Sequence, residues 1–194
     1  MEKKPGLRIQ KLRRHSQEFI EMIFSRLIDN FQIYLVDIIR EILQVKPEIL
    51  INNQPTISIF QVLKANSIDV LIQEVIESKV GALSNKGFGH IEEWCVSNGI
   101  PVTVINDLKL DIVEFIAIRN IIVHNRCIVD EKYQKAVPNT EFKVGELRRL
   151  NVDVLYHAIN TLGDIVSKTD FNSVNKYNLD KTEIMSVVTK EAEF

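Results

Sequence analysis

Residues 15–43 read HSQEFIEMIFSRLIDNFQIYLVDIIREIL. Phe19, Ile20, Ile23, Phe24, Leu27, Ile28, Phe31, Leu35, Ile38, Ile39 and Ile42 recur at three- and four-residue spacing, and neither glycine nor proline interrupts them. Positions three and four apart share one face of an α-helix, whereas a strand alternates every second residue. The run therefore predicts one long amphipathic helix with an apolar stripe to bury. Lys46-Pro47 ends it, because the residue before a proline disfavours helical geometry.

Outward from this run the pattern stays helical. Gln54-Pro55-Thr56 reads as a loop and cap before a short helix at 57–63, and Asn66 or Ser67 caps the next, which runs to about Leu83. Ser84 to His90 holds two glycines but no Gly-Lys-Ser/Thr, so it reads as a turn rather than a phosphate loop, ahead of a helix at 91–97 in which Trp94 is a core anchor. Asn98-Gly99-Ile100-Pro101 breaks the chain, and 102–105 is the only β-like stretch. Asn106 or Asp107 caps a helix at 108–123, apolar around nearly its whole circumference as a central buried helix is. A further helix is expected at 144–167, and a short one near 182–189. The fold class is all-α: one domain at 1–169, with residues 1–14 as a basic N-terminal extension, and a polar C-terminal extension at 170–194.

Composition sets outer bounds. The chain has 194 residues, 45% hydrophobic and 26% charged, with net charge −2. These proportions are ordinary for a globular protein and exclude a disordered one. Charge breaks every apolar run within a few residues, so no membrane span is expected, and the charged start lacks a signal-peptide core; both point to the cytoplasm. Cys95 and Cys127 give no disulfide framework and read as buried thiols. A zinc set of His90, Cys95, His124 and Cys127 is disfavoured, since His90 and Cys95 diverge by roughly 140° on a helix. The acidic whole does not mark a nucleic-acid coat. Locally, though, Lys3, Lys4, Arg8, Lys11, Arg13 and Arg14 face Glu2 alone within residues 1–14, a segment able to hold a phosphate backbone or simply to end in solvent.

Chemistry concentrates in Arg119-Asn120-Ile121-Ile122-Val123-His124-Asn125. Arginine offers a permanent charge and a planar fork of donors suited to phosphate, and histidine exchanges protons near neutral pH. On an ideal wheel Asn120 and His124 lie about 40° apart, so Asn120 can orient the imidazole or a phosphate oxygen, while Arg119 sits roughly 100° from Asn120 and reaches the same space only with its long stem or across to a second subunit. Plain alternatives exist. His124 can cap carbonyls at a helix terminus, and Arg119 can pair with Asp37, Glu41 or another acid of the long first helix.

The run resembles the R-x4-6-H motif of the HEPN superfamily, with four residues between Arg119 and His124 and a polar residue after the arginine. Glu114 to Arg126 is similar to the late helix of many HEPN proteins, and Tyr34 to Leu43 followed by Pro47-Glu48 resembles the long early helix of one bacterial group. The likeness covers roughly residues 15 to 165. It implies an up-and-down helical bundle with a long antiparallel helix pair, and a homodimer whose two motifs share a cleft. It further implies a metal-independent endoribonuclease, without cofactor, acting as a toxin or antiviral-defence effector restrained by an antitoxin. Arg119, His124 and Asn120 are the implied catalytic residues. Asn125, Arg126, Glu114 and Tyr133 are substrate-binding candidates; Arg126 and Tyr133 keep plain solvent-facing and packing readings. Glu114 lies about 15 Å from His124 along the helix and meets it only if a partner chain intervenes. Two other classes compete: a non-catalytic HEPN module binding RNA, nucleotide or protein, and a helical partner-binding protein unrelated to RNA.

Overall fold

The computed structural model describes residues 7–53, 57–102 and 106–179, without the side chains of 7, 9–14, 52, 53, 106 and 107. The long apolar repeat forms a single helix, α1 (Leu7–Val45), which starts before His15. It stops where expected: the Lys46 amide still donates to the Ile42 carbonyl, at 2.8 Å, and Pro47 opens a 3₁₀ helix (Pro47–Asn53). There follow α2 (Ile59–Lys64), α3 (Ile68–Ser84), α4 (Phe88–Ser97), α5 (Asn106–Asn125), α6 (Glu131–Ala136) and α7 (Val152–Tyr177). The described residues contain no strand, only an isolated antiparallel bridge between Ile128 and Leu147. The chain is all-α, as the periodicity predicts.

The chain divides into two compact units. The first combines residues 1–33 with 103–166. Its core joins Phe24, Ile28 and Phe31 of α1, Ile112, Phe115, Ile118 and Ile121 of α5, and Leu155, Ala158, Leu162 and Ile165 of α7, all buried. Each of the large side chains among them contributes roughly 1.5–3 kcal/mol when removed from water. Phe115 meets Phe24 edge-on at 6.0 Å and His157 at 5.5 Å, favoured geometries for aromatic rings.

The second unit combines residues 34–102 with 167–194. Leu35, Ile39, Ile42 and Leu43 of α1 are buried there, as are Ile76 and Val80 of α3, Ile91, Trp94 and Cys95 of α4, and Tyr177. Trp94 is thus a core residue, with the Lys79 ammonium 4.9 Å over its ring. The Arg40 guanidinium ties Asp37 to Glu77. Helix α4 ends in a Schellman turn: Ile100 donates to Cys95 O and Gly99, at φ 67°, to Val96 O. The Gly99 carbonyl then accepts from Lys176 Nζ at 2.6 Å and from the Tyr177 hydroxyl at 3.2 Å.

Several element boundaries differ from the sequence reading. Helix α2 starts at Ile59, capped by Ser58, rather than at 57, and α4 starts at Phe88, three residues before the expected 91. Residues 144–151 are not helical, because the backbone there bonds to the segment after α5: Val129 N donates to Glu146 O and Arg148 N to Cys127 O. Helix α7 therefore begins at Val152, and it runs through 170 to Tyr177, where buried Thr169, Ser173 and Tyr177 continue its inner face. A short helix, α6, forms where none was expected, started by the Asp130 carboxylate accepting from Tyr133 N at 2.8 Å. Of the two caps offered for α3, Asn66 and Ser67, it is Ser67 whose hydroxyl accepts from Val70 N. The expected loop at 54–56, the β-like pieces at 103–105, the caps of Asn106 and Asp107, the basic side chains of residues 1–14 other than Arg8 and the helix near 182–189 lie outside the described residues.

Candidate functional site

Helix α5 carries the motif, and its two-sided burial explains which polar groups reach the surface. Ile118 and Ile121 are buried while Asn120, Val123 and His124 are exposed. These exposed positions belong to one side of the helix, as three- and four-residue spacing requires. Arg119 lies at its margin, half-buried.

The arginine is held by α1. Its Nε and Nη2 both reach Asp29 Oδ1 at 2.8 Å, and Nη1 donates to Asn120 Oδ1 at 3.1 Å. Its carboxylate partner is therefore an acid of the first helix, but Asp29 rather than Asp37 or Glu41. The Nε–Nη2 edge, the fork that bidentate phosphate recognition uses, is thus taken by Asp29. The same contacts also serve as a structural ion pair between two helices. His124, in the last turn of α5, is exposed and has no hydrogen-bond or ion-pair partner among the described residues.

Past the motif the backbone takes an uncommon path. Arg126 and Cys127 are consecutive non-glycine residues at φ 52° and 65°, in the left-handed region where a Cβ costs roughly 1–2 kcal/mol per residue. Their neighbours hold them there. Asn125 Nδ2 donates to Ile128 O at 2.7 Å, Cys127 N to Ile121 O at 2.9 Å, and Arg148 N to Cys127 O at 2.8 Å. Arg126 is exposed by this turn and Cys127 is buried, its thiol pushed up to about 11 by burial and by Glu21.

Glu114 and Tyr133 belong to a second cluster. The Glu114 carboxylate accepts from Arg148 Nη2 at 2.6 Å, and the Arg148 guanidinium stacks over Tyr133 and Phe142 at 5.5 and 5.2 Å. Arg148 and Tyr133 are both buried. Burial raises the Tyr133 phenol above its ordinary range; Thr140 is near, but among the described residues no group meets hydrogen-bond geometry with the hydroxyl. The cluster braces α5 against the 127–148 segment. Of the candidate residues, Arg119 and Asn120 touch each other, His124 follows one turn on, Asn125 and Arg126 form the turn, and Glu114 and Tyr133 face Arg148. Sequence reasoning did not single out Asp29 or Arg148, and Arg148 stands in a stretch whose apolar spacing reads as helix, where a charged residue gives no signal of burial.

A shallow groove of about 470 Å³ runs beside the arginine, between α1 and α5. Glu18, Glu21 and Asp29 line it against Arg26 alone, with Met22 and Val123 supplying apolar surface. Three carboxylates do not suit a phosphate backbone, and the Arg119 guanidinium is not part of the groove's lining. No helix among the described residues is long and apolar enough to cross a membrane. Comparison with family models, with curated proteins and with solved structures finds no match.

Proposed function

We propose that this protein is a HEPN-like, metal-independent endoribonuclease. The observation that carries the reading is an exposed His124, without a partner among the described residues, one helical turn beyond an Arg119–Asn120 pair whose guanidinium is held by Asp29. In the proposed reaction His124 takes the proton of an RNA 2′-hydroxyl as the oxygen attacks the adjacent phosphorus. The 5′-oxygen leaves with a proton, giving a 2′,3′-cyclic phosphate and a free 5′-hydroxyl. Arg119 stabilises the phosphorane charge, and Asn120 orients a phosphate oxygen. Asn125 shapes the turn that presents Arg126 to the substrate, while Glu114 and Tyr133 support it through Arg148. A second copy, with its motif helix opposed, supplies the other proton donor. The biological role in this reading is that of a toxin or antiviral-defence effector of the cytoplasm, restrained by an antitoxin.

The test is cleavage of single-stranded RNA by purified protein in EDTA. Cleavage persists with chelator, stops when the 2′-hydroxyl at the cut site is replaced by hydrogen, and falls about a hundredfold or more in His124→Ala and Arg119→Ala. Asn120→Ala is milder. Folded His124→Ala protein that cleaves like the wild type removes the assignment. One observation favours the non-catalytic alternative, in which the motif binds RNA, nucleotide or a protein: Nε, Nη1 and Nη2 of Arg119 all have partners within the chain. That reading predicts RNA retention without cleavage.

A further inference from the structure

Between α5 and α7 the chain makes a loop whose two ends are tied together. Val129 N donates to Glu146 O and Gly145 N to Val129 O, both at 2.9 Å, and Arg148 N donates to Cys127 O at 2.8 Å. Residues 130–144 leave and re-enter through this neck, as the chain does in an Ω-loop. The inner side of the loop is packed, with Val129 and Tyr133 buried. Beyond the neck, the Glu114–Arg148 ion pair at 2.6 Å ties it to α5.

Two independent features oppose this closed arrangement. Where the loop leaves α5, Arg126 and Cys127 are held at φ 52° and 65°, a conformation that residues with a Cβ seldom adopt and that persists only while neighbouring contacts impose it. The neck bond from Arg148 N to Cys127 O is one of those contacts. On the inner side, the Tyr133 hydroxyl and Arg148 Nε are buried with no hydrogen-bond partner among the described residues. A buried donor without an acceptor weighs against the state that buries it, and water satisfies both donors once the loop lifts. One movement therefore relieves the strained turn and the orphaned donors together.

We propose that residues 127–148 form a hinged strap that opens locally, releasing the neck bonds and parting Arg148 from Glu114, while α5 stays folded. Arg126 stands at the hinge, so opening moves it relative to His124. That consequence for RNA rests on the ribonuclease reading; the opening itself does not. Amide hydrogen exchange followed by NMR, with no RNA present, tests it. The neck amides of Val129, Gly145 and Arg148 exchange with one common opening constant, at least about tenfold larger than that of the α5 amides of Ile118 and Ile121. Dilute urea hardly changes the neck exchange but accelerates that of Ile118 and Ile121, because a local opening exposes little surface. Tyr133→Phe removes an orphaned donor and keeps the ring that stacks with Arg148, so neck exchange slows about threefold. Arg126→Gly relieves the strained turn and slows it likewise. Neck amides as protected as Ile118 and Ile121, or as sensitive to urea, overturn the proposal. Faster neck exchange in Tyr133→Phe does so too, since the hydroxyl then braces a fixed loop.

Discussion

At Arg119 three donors converge on two acceptors, Asp29 Oδ1 and Asn120 Oδ1. A lysine has no planar fork and cannot reproduce that geometry. Arg119→Lys is therefore expected to fold normally and to lose most RNA cleavage, measured as initial rate on a single-stranded substrate. Asp29→Asn separates orientation from charge. It keeps a hydrogen-bond acceptor at the same place, so the melting temperature should change little, since a partly exposed ion pair contributes about 0–1 kcal/mol. The cleavage rate should fall about tenfold, a loss of ~1.4 kcal/mol in positioning. An unchanged rate would separate Asp29 from the site. That Arg119 needs an acid of the first helix was legible in the sequence, because an arginine on a nearly all-apolar helix must have a partner. Which acid was not: Asp29, Asp37 and Glu41 all lie on α1, and choosing between them requires the helix register.

Among the elements, the turn after α5 invites the sharpest prediction. Arg126 pays a steric penalty for φ 52° that glycine does not. Arg126→Gly should raise stability by about 0.5–1 kcal/mol in urea denaturation while lowering RNA affinity, a combination opposite to that of a general folding defect. Loss of both would mean that the Arg126 side chain supports the turn. Deeper in the same helix, Ile118→Ala should cost about 2–5 kcal/mol, because Ile118 is fully buried. Periodicity made α1, α3 and α5 legible. It misled at 144–151, where Leu147 and Leu150 fit a helical spacing but the backbone pairs with the 127–129 segment, a non-local contact that no window of sequence contains. Helix α6 was hidden for the opposite reason: six residues are too few for a period to emerge, and its start depends on one Asp130 hydrogen bond.

For the whole molecule, stability should depend on alkaline pH. The Cys95 thiol, ordinarily 9.0, is pushed up to about 12 by burial and by Glu92, and burial likewise raises Cys127 and the phenols of Tyr34, Tyr133 and Tyr177. The sign follows from proton counting. Above pH 9 the unfolded chain releases protons that the folded one retains, so stability is full below pH 9 and declines as pH rises toward 12. Urea midpoints at pH 7.5, 9 and 10.5 should be level across the first interval and fall across the second; a midpoint that rises with pH contradicts the displaced thiols. Each compact unit is also assembled from two distant stretches of chain, 1–33 with 103–166 and 34–102 with 167–194. During synthesis, then, the apolar face of α1 emerges long before its partners. Phe24 and Phe31 await α5, and the second unit stays incomplete until the buried Thr169, Ser173 and Tyr177 of α7 are made. Closure of each unit therefore waits for a stretch made much later than the first, a non-local assembly that favours slow folding and leaves the apolar face of nascent α1 exposed in the meantime.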